Sequence, residues 1–292
     1  MHTPLLSLAA AALLALLVSP STAGAQDATG SFERTLTVSG PVDLEVLSGS
    51  GSIEVRAGQA GRIEISGRVR SGNWRLFSGR LSAAERVRRI EANPPIEQTG
   101  NRVRIGRIAD EELRQQVSIS YTVAVPPAAT LVSKTGSGSH LIEGVRGAVT
   151  ASSGSGSIRV RSAGGDVHAT TGSGSIAVDT VGGSFSGSSG SGSIDGVNVR
   201  GGLRASTSSG TLRVVGEPTS DWRLSSSSGT VTIELAGKPA FALDAHSNSG
   251  RIDTNYPVTV TGTIGRRELR GSVNGGGPLL HVRTSSGGIR IR

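Results

Sequence analysis

Stepping nine residues at a time from Leu131 meets Leu131, His140, Val149, Ile158, Val167, Ile176, Phe185, Ile194, Leu203 and Leu212, apolar at every stop but His140. The series runs on with small slips through Trp222, Val231, Phe241 and Ile252. Two residues beyond each stop a second series repeats as Ile142, Ala151, Val160, Ala169, Val178, Gly187, Gly196, Ala205, Val214, Leu224, Ile233 and Leu243, with polar residues between. Apolar or small residues at n and n+2 are the period-two mark of a strand with one buried face. Each nine-residue unit is then one short strand and one turn.

The turns alternate in kind, which doubles the repeat to eighteen residues. One is written SGSGS, at 153–157, within 171–175 and at 189–193, relaxing to SSGT at 208–211 and 227–230; the other is built around Gly164-Gly165, Gly182-Gly183 and Gly201-Gly202. Two different corners make one coil of two oppositely running strands, and coils stack at about 4.8 Å per rung. The pattern predicts an all-β, parallel β-solenoid of roughly nine rungs from Leu131 onward and about a dozen in all, right-handed by the general crossover preference. At the SGSGS corner, glycine is expected to supply backbone freedom and the small serines to bond neighbouring backbone groups. The register puts Arg161 beside Asp179 and Asp195 beside Arg213, opposite charges as cross-strand neighbours should be.

The same phrase occurs earlier, as DLEVLSGSGSIEVRAGQAGRIEIS at 43–66, so the single solenoid domain is expected to span 36–292. Residues 68–116 break the rhythm and read as an insertion. Within it Ser82 can cap a short helix that Pro94-Pro95 ends, and a hairpin is expected around Arg102 to Ile108. Pairing resumes at Val117 to Val125, and the chain should end on an exposed strand, Gly288 to Arg292.

The pair Leu44-x-Val46, followed nine residues on by Gly51-Ser52-Ile53-x-Val55, and the units Gly156-Ser157-Ile158, Gly174-Ser175-Ile176 and Gly192-Ser193-Ile194 resemble bacterial adhesin-like domains of unknown function with β-strand repeats. These are in turn similar to autotransporter adhesin heads. The likeness covers about 36–292. It implies an exported, envelope-associated β-solenoid without established enzymatic activity, and it brings no catalytic motif.

The beginning of the chain agrees with export. An apolar run from Leu5 to Val18, the breaker Ser19-Pro20 and Ala23-Gly24-Ala25 have the layout of a cleavable secretory signal over 1–25, although only the amino terminus and His2 charge its start. That run is too short to span a bilayer, and no transmembrane segment is expected after cleavage. Residues 26–35 are expected to be disordered, and the protein is expected in the periplasm, at the cell surface or secreted. With no cysteine there is neither disulfide nor thiolate chemistry, so stability must come from backbone pairing and a core. Aromatic content is 3%, against 43 glycines, a composition compatible with disorder that the periodicity resolves in favour of a repeat fold.

Charge narrows the partners. The formal net charge is +8, and apart from Lys134 and Lys238 every basic residue counted in it is Arg. An excess of this kind attracts anionic surfaces, although arginine also serves simply to solvate an exported fold. In the insertion Arg75, Arg80, Arg86, Arg88, Arg89, Arg102, Arg104 and Arg107 are the candidates for polyanion binding, with Arg86 and Arg89 sharing a helix face. The expected partner class is an anionic cell-envelope component or surface polysaccharide, not a specific nucleic acid.

Catalytic and cofactor chemistries fit less well. Laid on the calcium-binding nonapeptide, Ile158, Ile176 and Ile194 occupy the position of the Asp ligand, and calcium needs several oxygen ligands. Gly154-Ser155-Gly156 lacks the later Gly and Lys of a phosphate loop and leads into a strand. There is no G-x-S-x-G elbow, and His140, His168, His246 and His281 form no ligand cluster and read as surface or edge residues. The outward columns also lack the regular T-x-T array that ice binding would need. The strongest enzymatic alternative is a β-helix enzyme degrading acidic glycans with Asp179, Asp195 and Asp253 beside Arg161 and Arg213, yet rung-to-rung charge pairing produces the same alternation. The expectation is a non-catalytic adhesin or scaffold with no catalytic residue, cofactor or metal site.

Overall fold

The computed structural model describes residues 27–72, 81–114, 116–199, 201–261 and 265–292. The signal segment 1–25, Arg75 and Arg80 lie outside the described residues. The described residues form two sheets, of twelve and thirteen strands, facing each other across one core. In the first sheet Ile158, Ile176, Ile194 and Leu212 are successive register partners. In the second, Val149, Val167, Phe185 and Leu203 are. The eighteen-residue rung is therefore the physical repeat, a β-solenoid as the apolar series requires.

Inward positions fill by compensation. Trp222, Phe185 and Phe241 are essentially inaccessible, and the Trp222 indole N–H donates to the Gly201 carbonyl at 2.9 Å. A Cβ on Gly187 would lie 2.6 Å from Phe185 Cζ, so the ring occupies the volume the glycine leaves. Outward, Arg161 does neighbour Asp179, and Asp195 neighbours Arg213. The ion pairs run to other partners, however: Arg161 to Glu143 at 2.8 Å and Arg213 to Glu234 at 3.0 Å. Exposed pairs of this kind contribute little to stability.

At the SGSGS corner the small hydroxyl residues bond neighbouring backbone as expected, whereas glycine is needed for a different reason. Thr135, Ser153, Thr171, Ser189, Thr207, Ser226, Ser247 and Thr284 each close a strand of the second sheet with a buried side chain. Every hydroxyl donates to a glycine carbonyl on an adjacent rung at 2.9–3.2 Å. Each also accepts from the glycine N–H three residues ahead at 2.7–3.2 Å. A ladder of buried hydroxyls thus satisfies backbone groups that the tight corner would otherwise strand. Glycine is required there by close approach, and positive φ plays no part. A Cβ on Gly156 would be 1.8 Å from the Gly138 oxygen, and one on Gly192 would be 1.9 Å from the Gly174 oxygen. Positive φ occurs at the opposite corner instead, on the stacked Ser162, Thr180 and Asn198 at 54°, 59° and 54°.

Neither terminal coil stacks in sequence order. Strands Asp43–Ser48 and Ile53–Ala57 lie between Arg102–Ile105 with Val117–Val125 on one side and Thr130–Thr135 with His140–Glu143 on the other. At the far end Leu279–Thr284 and Ile289–Ile291 are inserted between Trp222–Ser226 with Val231–Leu235 and Phe241–Ser247 with Ile252–Thr254. The final strand is therefore interior, with Ile289 and Ile291 fully buried, and not the exposed edge the sequence suggested. Setting aside the antiparallel strands Ala28–Thr37 and Arg62–Ser71, the twelve-stranded sheet holds ten rungs, fewer than the dozen expected.

The N-terminal end also departs from expectation. Ala28–Thr37, which overlaps the stretch 26–35 expected to be disordered, pairs antiparallel with Arg62–Ser71, which pairs antiparallel with Val117–Val125. Phe32 anchors it, its ring lying where a Cβ on Gly67 would sit. Helix α1 (Ala83–Ala92) covers these strands with Ala83, Val87 and Ile90, and Ser82 caps it by accepting from the Glu85 N–H at 3.2 Å. The hairpin is Ile96–Thr99 with Arg102–Ile105, set earlier than the 102–108 expected because Arg102–Ile105 must pair with Asp43–Val46.

Candidate functional site

The described arginines of the insertion are mostly paired with carboxylates or buried. Arg86 is buried, at 3% exposure, because α1 turns it toward the strands along with Val87 and Ile90; it is not available on the exposed face expected for it beside Arg89. Arg88 and Arg89 both bind Glu85, at 2.6 and 3.1 Å, and their guanidinium hydrogen bonds hold that carboxyl below its ordinary pKa. Arg102 faces Asp43 at 3.8 Å and Arg104 faces Glu45 at 3.3 Å. Arg107 is exposed on a separate segment beyond the hairpin.

A different basic array lies on the outer face of the second sheet. Its register stacks Thr150, His168, Ser186, Arg204, Arg223, His281, Asp244 and Arg270 in one column. A parallel column carries Ser152, Thr170, Ser188, Ser206, Ser225, Arg283 and His246. Strand alternation puts these side chains outward while Val167, Phe185, Leu203 and Trp222 point into the core. From His168 to His281 is four rung spacings, about 19 Å. A shallow groove of about 410 Å³ runs along the N-terminal part of the column between Thr150 and Arg223, with Asp166 and Asp221 on its flank.

The array's charges are unevenly compensated. Arg204 and Arg223 are direct neighbours, and like charges so placed repel. Arg223 has Asp221 at 3.6 Å, whereas Arg204 makes no ion pair among the described residues. Farther along, His281 Nδ1 meets Asp244 Oδ2 at 3.1 Å, and Arg270 Nε lies 3.2 Å from Asp244 Oδ1. Arg283 Nε donates to His281 Nε2 at 2.7 Å, which makes Nε2 the acceptor and leaves the ring proton on Nδ1, toward Asp244. One carboxylate thus faces Arg270, His281 and Arg283.

Sequence stepping missed this array for a definite reason. Arg204 and Arg223 are nineteen residues apart, one of the small slips, and His281 and Arg283 reach the column only through the interleaved last coil.

The carboxylates considered for glycan cleavage are not brought together. Asp179 accepts from the Thr180 hydroxyl at 3.0 Å, Asp195 stands one rung away from it on a different column, and Asp253 is at the far end of the sheet beside Arg290. His140, read as a surface or edge residue, is buried; Ser133 Oγ lies 2.8 Å from Nδ1 and the Ser152 carbonyl 3.0 Å from Nε2. The carbonyl can only accept, so Nε2 carries the proton and Ser133 donates to Nδ1. Burial lowers the pKa of this imidazole, and the Ser152 bond opposes that only in part. Among the described residues no group of three or more His, Asp or Glu could hold a metal, and no helix is long and apolar enough to cross a membrane.

Fold and face together define a class: a two-sheet parallel β-solenoid that presents polar columns at rung spacing. Residues 148–292 match the family model described as Toastrack DUF4097, so the resemblance to adhesin-like domains of unknown function extends over the second half of the chain. Among solved structures the chain is similar to a "putative adhesin" from Bacteroides fragilis NCTC 9343, at 11% identity over 90% of this chain and 97% of that one, with a TM-score of 0.49. A "putative cell adhesion protein" from Clostridium sporogenes ATCC 15579 is matched at 12% identity over 90% and 99%, with a TM-score of 0.29. No curated protein matches the sequence.

Proposed function

We propose that the protein is a non-catalytic binding module of the cell envelope, exported by the signal-like segment before Gln26, whose second-sheet face holds a linear anionic polysaccharide along the solenoid axis. The observation that carries this reading is the stacking of Arg204 on Arg223 with His281 and Arg283 on the next rung. In the free protein the neighbouring Arg204 and Arg223 guanidiniums repel, and an anionic chain laid across the rungs relieves the repulsion. Adjacent hydroxyls on Ser188, Ser206 and Ser225 supply donors and acceptors to sugar hydroxyls at the same spacing. The rigidity of stacked rungs helps because little order remains to be imposed on binding.

Titration with oligogalacturonate, and with a neutral oligosaccharide of equal length, tests the reading. Binding should be selective for the acid and weaken with salt. Arg204→Glu with Arg223→Glu should lower affinity about tenfold or more, while Arg88→Glu with Arg89→Glu should change it little. Salt-independent binding, an unaffected stripe variant, or cleavage of the glycan would overturn the proposal.

A further inference from the structure

At the N-terminal end of the solenoid, away from the basic face, an apolar slot of about 300 Å³ opens between residues 106–114 and the strands Asp43–Ser48 and Val117–Val125. Leu47, Ile108, Val117, Ile119 and the ring of Tyr121 line it, and Arg107 and Arg114 stand on its wall with their side chains exposed. Tyr121 is 98% buried, its ring held edge-on by Phe32 at 6.3 Å between centroids, yet its hydroxyl has no hydrogen-bond partner. An orphaned buried hydroxyl is destabilising, and a phenylalanine would avoid that cost. The backbone passing over it is Gly106, at φ +90°, where a Cβ would lie 3.2 Å from the Tyr121 oxygen and 1.8 Å from the Leu47 carbonyl. The slot thus combines apolar walls, one unused donor at depth and two cations at its side. Arg107 has no ion pair among the described residues, and Arg114 has only a 4.0 Å contact with Glu111.

We propose that this slot binds a small amphipathic carboxylate, a short fatty acid being the ligand class: the alkyl chain lies on Leu47, Ile108, Val117 and Ile119, the Tyr121 hydroxyl donates to the carboxylate, and Arg107 and Arg114 supply counter-charge. Apolar pockets of this volume with a few placed polar groups are the ordinary form of small-molecule sites.

Calorimetric titration of the full chain with octanoate, and with 1-octanol as the neutral analogue, tests it. Octanoate should bind saturably and at least tenfold more tightly than octanol. Tyr121→Phe, which removes an unpartnered group, should leave the fold intact, raise thermal stability and weaken octanoate about tenfold. Arg107→Gln with Arg114→Gln should bring octanoate down to the level of octanol. Should Tyr121→Phe prove unstable, Ile108→Trp fills the slot from its outer wall and should abolish binding with an unchanged circular dichroism spectrum. Absence of saturable binding, equal affinity for the alcohol, or undiminished binding in Tyr121→Phe or Ile108→Trp would overturn the proposal. Arg204→Glu with Arg223→Glu should leave octanoate binding unchanged, which separates this site from the basic face.

Discussion

Replacing Thr171 by Val keeps the side-chain shape and deletes one hydroxyl from the corner ladder. That hydroxyl donates to the Gly156 carbonyl at 2.9 Å and accepts from the Gly174 N–H at 3.2 Å. Both backbone groups belong to a corner where the next rung sits too close for any Cβ, so water has little room to replace the bond. A buried backbone group left without a partner costs about 1–3 kcal/mol, and two such groups that relax together put the loss at about 2–4 kcal/mol. The neighbouring Thr170 points outward and its hydroxyl makes only a 3.4 Å contact with His168, so Thr170→Val should cost less than about 0.5 kcal/mol. Urea unfolding of both variants beside the parent, compared at equal m-values, isolates the ladder from β-propensity, because the substitution is the same one residue apart. Equal stabilities for Thr171→Val and Thr170→Val would refute the role given to the corner hydroxyls.

The core and the buried histidine give two more expectations. Ile176→Asp puts a carboxylate in a fully buried position between Ile158 and Ile194, and should unfold several rungs, seen as loss of the β-sheet dichroism signal; retained folding would contradict the register. His140 has a folded-state pKa lowered by burial, so its contribution is complete above the unfolded value of 6.5 and is lost as pH falls through that value toward the folded one. The stability difference between the parent and His140→Leu should therefore shrink as the pH falls below about 6.5, and a difference constant with pH would show that burial does not shift His140.

Much of this architecture was legible because the core imposes its own period. Ile158, Ile176 and Ile194 must stack in one column, and no other spacing keeps them there. The corner and the bonding of its small hydroxyl residues to neighbouring backbone were legible, but not the reason for glycine: φ at Gly156 is unexceptional, and what excludes a side chain is the carbonyl of the rung beside it, which only three-dimensional stacking reveals. Ala28–Thr37 escaped notice since a single buried anchor, Phe32, leaves no alternation to detect. Spacing alone put Arg86 on a helix face with Arg89 as a polyanion-binding candidate, yet the buried stripe of Ala83, Val87 and Ile90 carries it against the strands. The basic face was out of reach for a topological reason. Periodicity orders coils by sequence, whereas the chain's last coil returns to sit one rung inside the end and delivers His281 and Arg283 beside Arg223 and Ser225.

That interleaving is the claim on which the binding face depends, and a chain without cysteine allows it to be tested cleanly. Ser225 and Arg283 are register partners on adjacent rungs, while His246 lies one rung farther on, beyond Arg283. Mild oxidation of a Ser225→Cys, Arg283→Cys variant should form an intramolecular disulfide, since Cα atoms one rung apart fall within the usual 4.4–6.8 Å range. A Ser225→Cys, His246→Cys variant should not, because two rungs separate its sulfurs by more than a disulfide can span. Coils stacked in sequence order would reverse the two results, with 225 linking to 246 and failing to link to 283.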